Sequence, residues 1–206
     1  MGYPGAYWTP SPNFQEGRQA AITHVVFHTT EDSSDAGSLA TLTDAFRLDS
    51  EGGRVSAHYL VARTGRIYHL VRDDDTAWTS GPANPWTINV EVVGHSDNPG
   101  TWSPTVVDAL GSLTRWLSST YAIPLVYRAS SSAPPNPRGF VAHGAIQPAN
   151  RYDPGPFFPW EEIQQIAAGE SGASTVAPKV GGLSGLEIAG LVATVAGLWV
   201  VWELVK

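Results

Sequence analysis

Cysteine is absent from the 206-residue chain. That excludes disulfides, thiolate metal ligands and a thiol nucleophile, so any metal has to be held by His and carboxylate. No Lys/Arg cluster occurs and the formal net charge is −7, which gives nucleic acid no basic landing surface. Residues 1–12 lack a basic stretch followed by an apolar run, so no secretory signal is expected there. Met1-Gly2 resembles a myristoylation start, but Ala6 stands where Ser or Thr is wanted. No internal repeat is found.

What remains is the make-up of a folded chain, 42% hydrophobic and 15% charged. Eight Trp among many Gly and Pro suggest a loop-rich surface with aromatic contact points. Three regions separate by composition. Residues from about Pro10 to Ala168 hold alternating strand-like and helix-like patterns, within an expected folded domain of residues 1–168. Residues 169–182, rich in Gly, Ser, Ala and Pro, are expected to be a flexible linker. Residues 183–206 are almost wholly apolar. Leu183 to Trp202 carries one charge, Glu187; at ~1.5 Å rise per residue such a helix spans ~30 Å, the thickness of a bilayer core. Trp199 and Trp202 near one end fit interfacial aromatics. The segment is expected to anchor the chain in a membrane, with packing against a protein partner as the alternative.

Within the first region, Thr23–His28 is a β-branched run of strand length. Ser38 is positioned to cap a helix carrying Leu39, Leu42 and Phe46. Ala57–Ala62 and Ile67–Val71 flank Arg63-Thr64-Gly65-Arg66 and predict a hairpin. Thr87–Val93 predicts another strand. Ser103-Pro104 opens a helix through Val106, Leu110, Leu113 and Leu117. Gly139–His143 predicts a short strand, and Trp160, Ile163 and Ala167 a last helix. The expected fold class is α/β, a mixed central β-sheet flanked by helices, with a separate C-terminal helix.

His28 and His143 each end a predicted strand, and Asp153 follows in a Pro/Gly-rich loop. Two His and one carboxylate leave a fourth tetrahedral position for water, as in catalytic zinc sites. Several other pairings of the six His are equally open on this ground alone.

Five ordered blocks narrow the choice. They are Val25-Val26-Phe27-His28-Thr29-Thr30-Glu31; Val55-Ser56-Ala57-His58-Tyr59-Leu60-Val61 with Gly65-Arg66-Ile67-Tyr68; Ala77-Trp78-Thr79-Ser80-Gly81; Asn89-Val90-Glu91-Val92-Val93-Gly94; and Ala142-His143 with Asn150-Arg151-Tyr152-Asp153-Pro154-Gly155-Pro156. From Ser11 to Ala168 the chain resembles the type 2 N-acetylmuramoyl-L-alanine amidases, a group that includes many phage endolysins and the peptidoglycan recognition proteins.

That resemblance implies a Zn2+ held by His28, His143 and Asp153. It implies catalytic roles for Glu91 as general base and for Tyr59 and Arg151 at the oxyanion. It also implies bacterial peptidoglycan as the partner, cut between N-acetylmuramic acid and L-alanine. A phage enzyme of wall lysis or entry, held at a virion or host membrane, is the expected setting. One departure stands out: Thr79 occupies a position where many members carry His.

Other readings stay open. Tyr59 lies in an alternating strand and could be a buried structural residue; Glu91 could pair with Arg; Arg151 could be a surface charge. His24, His58, His69 and His95 are expected to be structural or surface residues. Trp78, Trp86 and Trp102 could line a sugar groove or pack internally. Asp73-Asp74-Asp75 reads as a solvated turn. A non-catalytic peptidoglycan-binding module, or a structural virion protein with the same fold, is the competing function.

Overall fold

The structure is a computed structural model that describes residues 2–46, 53–128 and 138–169. The elements in chain order are β1 (Tyr7–Trp8), β2 (Phe14–Gln15), β3 (His24–Thr29), α1 (Asp35–Thr43), β4 (Tyr59–Val61), β5 (Ile67–His69) and β6 (Thr76–Ala77). There follow β7 (Thr87–Val92), α2 (Pro104–Tyr121), β8 (Tyr127–Arg128), β9 (Gly139–Ala142), α3 (His143–Ile146) and α4 (Trp160–Ala168).

Seven strands form one mixed sheet in the order β1-β5-β4-β7-β3-β9-β8. β4 and β5 make the antiparallel hairpin expected around Gly65, while β4, β7, β3, β9 and β8 pair in parallel. β2 and β6 pair separately, antiparallel.

Strand alternation sorts side chains between two layers. Val25 and Phe27 of β3, Tyr59 and Val61 of β4, and Ile88, Val90 and Val92 of β7 pack into one core with Val106, Leu110, Leu113 and Leu117 of α2 and Ile163 of α4. Leu60, Leu70, Val93 and Ala57 form a smaller core with Leu42 of α1. Burying the central strands on both sides explains why β3 and β7 read as near-continuous apolar runs. It also puts Asn89 and Glu91 on the opposite face from Val90 and leaves them needing polar partners or a function.

α2 starts where Ser103-Pro104 predicts, with the Ser103 hydroxyl accepting from the Val106 N–H at 3.4 Å. It ends at Ala122 in the left-handed conformation. α1 differs from expectation. Its cap is Ser34, whose side chain accepts from the Gly37 N–H, so Ser38 is a residue of the first turns rather than the cap. Ser38 is instead buried, donating to Thr30 Oγ1. Phe46 lies past the helix end and is 90% exposed. A local cap signal at Ser38 lost to the Asp32–Ser34 turn, where Asp32 Oδ1 accepts from the Ser34 N–H.

The expected linker beyond Gly169 and the expected C-terminal anchor helix lie outside the described residues. Among the described residues, no helix is long and apolar enough to cross a membrane.

Candidate active site

His28, the fifth residue of β3, pairs in register with Glu91 of β7. Both side chains therefore stand on the same face, one strand apart. β9 lies on the other side of β3, and its end delivers His143 as the first residue of α3. The loop after α3 then doubles back: the Gly144 N–H donates to the Asp153 carbonyl at 3.0 Å.

Two glycines let it come so close. A Cβ at Gly144 would stand 3.0 Å from the Arg151 carbonyl oxygen and the Tyr152 Cα. Gly155 has φ +87°, and a Cβ there would lie 2.1 Å from the Ser96 carbonyl oxygen. Only glycine fits both demands at 155.

The outcome is convergence. Asp153 Oδ2 lies 3.3 Å from His28 Nδ1 and 3.2 Å from His143 Nδ1. The two imidazole rings are 4.4 Å apart, inclined at 62°. One ligand atom from each residue falls within 4.8 Å of the others, and all three side chains are largely buried. Each ring's other nitrogen meets an amide oxygen: His28 Nε2 is 3.0 Å from Asn89 Oδ1, and His143 Nε2 is 3.0 Å from Gln147 Oε1. Two imidazoles and a carboxylate at this spacing suit zinc, which takes N and O donors and keeps a fourth position open in catalytic sites.

These residues form the floor of a cleft of about 650 Å³, whose lining includes Glu31, Asp32, Thr79, Glu91, Arg151 and Tyr152. It opens at the carboxyl ends of β3 and β7, where parallel sheets place their sites. A second cleft of about 530 Å³, lined by residues including Tyr3, Tyr7, Arg66 and Asp108, has no such convergence. Among the described residues, His28, His143 and Asp153 are the one group able to hold an ion.

The electrostatics divide the carboxylates. Burial alone would raise Asp153, but hydrogen bonds and charge interactions with His143 and His28 outweigh it and hold it below the ordinary range. Glu91 goes the other way: burial first, then the charges of Asp153 and Glu31, push it well above its ordinary 4.5, against the pull of Arg151. Its Oε2 is buried with no hydrogen-bond partner among the described residues. His28 is lowered, chiefly by burial and then by His143. Two carboxyl groups pushed in opposite directions in one cleft is the pattern expected of a ligand beside an acid–base group.

Arg151 lines this cleft; Tyr59 does not. Tyr59 stands on the opposite face of the sheet, in the core beneath α2. Its hydroxyl donates to Asp73 at 2.8 Å and accepts from the Tyr3 N–H at 3.1 Å. That corrects its assignment to the oxyanion: strand alternation turned the ring away from the face that carries His28 and Glu91. Asp73 corrects a second expectation. It is fully buried rather than solvated, and also accepts from the Tyr121 hydroxyl at 2.7 Å.

Thr79 lines the cleft, with its hydroxyl donating to the Ser56 carbonyl. Trp86 is buried against His24, and Trp102 packs on Phe158. Asn89, Gln147 and Ser80 were missed from sequence. The signal for Asn89 was its period-two relation to Glu91 in an apolar strand. For Gln147 it was the four-residue spacing from His143 on one helical turn.

With this geometry in place, the likenesses to known proteins become specific. Residues 18–156 match the family profile described as N-acetylmuramoyl-L-alanine amidase. N-acetylmuramoyl-L-alanine amidase A of Achromobacter lyticus is 28% identical over 176 residues, covering 81% of this chain and 96% of that protein. AmiD of Escherichia coli K12, an N-acetylmuramoyl-L-alanine amidase, is 31% identical over 170 residues; the match covers 72% of this chain and 54%, about half, of AmiD.

Among solved structures, a selenomethionine derivative of AmpD superposes with a TM-score of 0.65 at 23% identity, covering 80% of this chain and 95% of that one. AmpDH3 of Pseudomonas aeruginosa, crystallised with an anhydromuramic pentapeptide, gives 0.54 at 24%, covering 81% and 66%. At such identities the superpositions establish the shared fold.

Tyr59→Phe is expected to cost about 1–3 kcal/mol in urea unfolding, because buried Asp73 loses a donor, while metal binding and turnover stay unchanged. A large loss of turnover at unchanged stability would return Tyr59 to the chemistry. A raised folded-state pKa favours the fold fully below the unfolded value, and that contribution is lost as pH rises through the folded one. The melting temperature of metal-free wild type should therefore fall relative to Glu91→Gln as pH is raised from about 4 towards 8. A pH-independent difference would contradict the burial of Glu91.

Proposed function

The chain belongs to the N-acetylmuramoyl-L-alanine amidase family, and on that premise we propose that it is a zinc-dependent hydrolase of the amide between N-acetylmuramic acid and L-alanine in bacterial peptidoglycan. The observation that carries the reading is the meeting of His28, His143 and Asp153 in one cleft with Glu91. The pentapeptide bound by AmpDH3 supports the substrate class.

His28, His143 and Asp153 would hold the ion. When bound, Zn2+ would supply Lewis acidity, lowering the pKa of water towards ~7 and polarising the scissile carbonyl. Glu91, buried and raised, is suited to take a proton at its carboxylate and return it to the leaving amine, restoring its starting state. Arg151 at the cleft wall favours negative charge growing on the carbonyl oxygen, a contribution of ~2–4 kcal/mol where a donor is well aimed. The enclosed floor keeps these charges partly desolvated, which strengthens each interaction.

The competing function, a module that holds peptidoglycan without cutting it, is disfavoured by the full donor set and by Glu91. The domain reading is a catalytic unit at 1–168, a linker at 169–182 and a membrane anchor at 183–206. The anchor, and a phage enzyme acting on the wall from a membrane, rest on sequence alone.

Purified sacculi digested with the zinc-loaded chain should release new L-Ala amino termini and no new reducing sugar ends. Chelation or His143→Ala should abolish release, and Glu91→Gln should lower kcat about 10²–10⁴-fold. Full activity after metal stripping would refute the scheme. The intact chain should enter the detergent phase on Triton X-114 partition, whereas a chain ending at Ala168 stays aqueous; equal partition removes the anchor.

A further inference from the structure

The side-chain contacts of Asn89 decide which way its amide points. The Thr87 hydroxyl donates to the Ala83 carbonyl at 3.0 Å, which uses its single hydrogen. Thr87 Oγ1 can then only accept from Asn89 Nδ2, 3.3 Å away. That places Asn89 Oδ1 towards His28 Nε2, at 3.0 Å, with the Ser80 hydroxyl donating to the same oxygen. Backbone pins the residue as well: its N–H donates to His58 Nδ1 at 3.0 Å. An amide oxygen facing Nε2 demands a hydrogen there.

A neutral His28 then carries its proton on Nε2 and turns the Nδ1 lone pair towards Asp153. Gln147 Oε1 stands in the same relation to His143 Nε2.

We propose that Asn89 and Gln147 are positioning residues, their side-chain oxygens accepting the Nε2–H of His28 and His143 so that both rings offer Nδ1 to the metal. This rests on the metal reading given above. An imidazole free to exchange tautomers presents the wrong nitrogen part of the time, and holding it by a carbonyl oxygen fixes both orientation and basicity. Neither amide touches the reacting atoms; each acts through a ring.

The test uses the full chain, first metal-free and then with zinc alone as the probe. Long-range 1H–15N spectra of metal-free wild type at neutral pH should show a hydrogen on Nε2 of both His28 and His143, whether or not a proton is also shared between Nδ1 and Asp153. Asn89→Leu and Gln147→Leu should each release the tautomer of their own histidine and no other. Each should weaken zinc binding, read by chelator competition, about 10–100-fold, whereas Asn89→Asp, which keeps an acceptor, should stay within a few-fold of wild type. Should Asn89→Leu fail to fold, the half-buried Gln147 carries the same test at a helix end. Wild-type rings lacking the Nε2 hydrogen, or wild-type zinc affinity in the Leu variants, overturn the positioning roles and leave the metal site standing. A folded wild type that binds no zinc overturns the metal reading and the proposal with it.

Discussion

Asp153 Oδ2 sits between two imidazole Nδ1 atoms at 3.2 and 3.3 Å, in a floor where water has little access. With both Nε2 positions turned to amide oxygens, the inward-facing atoms are lone pairs and one anion. Three acceptors at such range repel unless a proton or a cation stands among them. The local architecture is an answer to that problem. β3 and β9 lie side by side so that two histidines reach one end of the sheet, and the loop after α3 is drawn in by Gly144 and Gly155 so that the carboxylate can follow.

The same logic explains why Glu91 can differ so much from Asp153 though both are carboxylates in one cleft. Asp153 is surrounded by groups that favour its charge. Glu91 is hemmed by apolar strands and by the negative charges of Asp153 and Glu31, so its charge is disfavoured. A ligand must stay ionised, while an acid–base group has to give a proton back. The strand end and the loop after α3 supply the two environments within one cleft.

A second polar centre lies on the other face. Asp73 gathers the hydroxyls of Tyr59 and Tyr121, and through Tyr59 it ties down the N-terminal Tyr3, which packs edge-on to Trp116. This centre resembles a site in its density of titratable groups. Its aromatic, enclosed surroundings, and the pairing of the carboxylate with phenols, mark it as structural support beneath α2. Strongly raised pKa values at Tyr59 and Tyr121 follow from that burial and from the adjacent carboxylate.

Local patterns in the chain located most of the elements and supplied the site's ingredients. Period-two and helical apolar patterns, the Ser103-Pro104 cap and the Gly65 turn are local signals, and β7, α2, α4 and the β4–β5 hairpin stand close to where those signals put them. The histidines and Asp153 were legible because five blocks keep a family's order and spacing. Tertiary structure alone decided which face each side chain took. A strand turns neighbouring residues to opposite sides, so Tyr59 beside His58 went to the core while Asn89 went to the face of His28. It decided likewise that Asp73 is buried, because only the packing of α2 and β4 around it brings two phenols within reach. Partners distant in the chain are invisible to spacing and become neighbours only when the sheet sets its strand order.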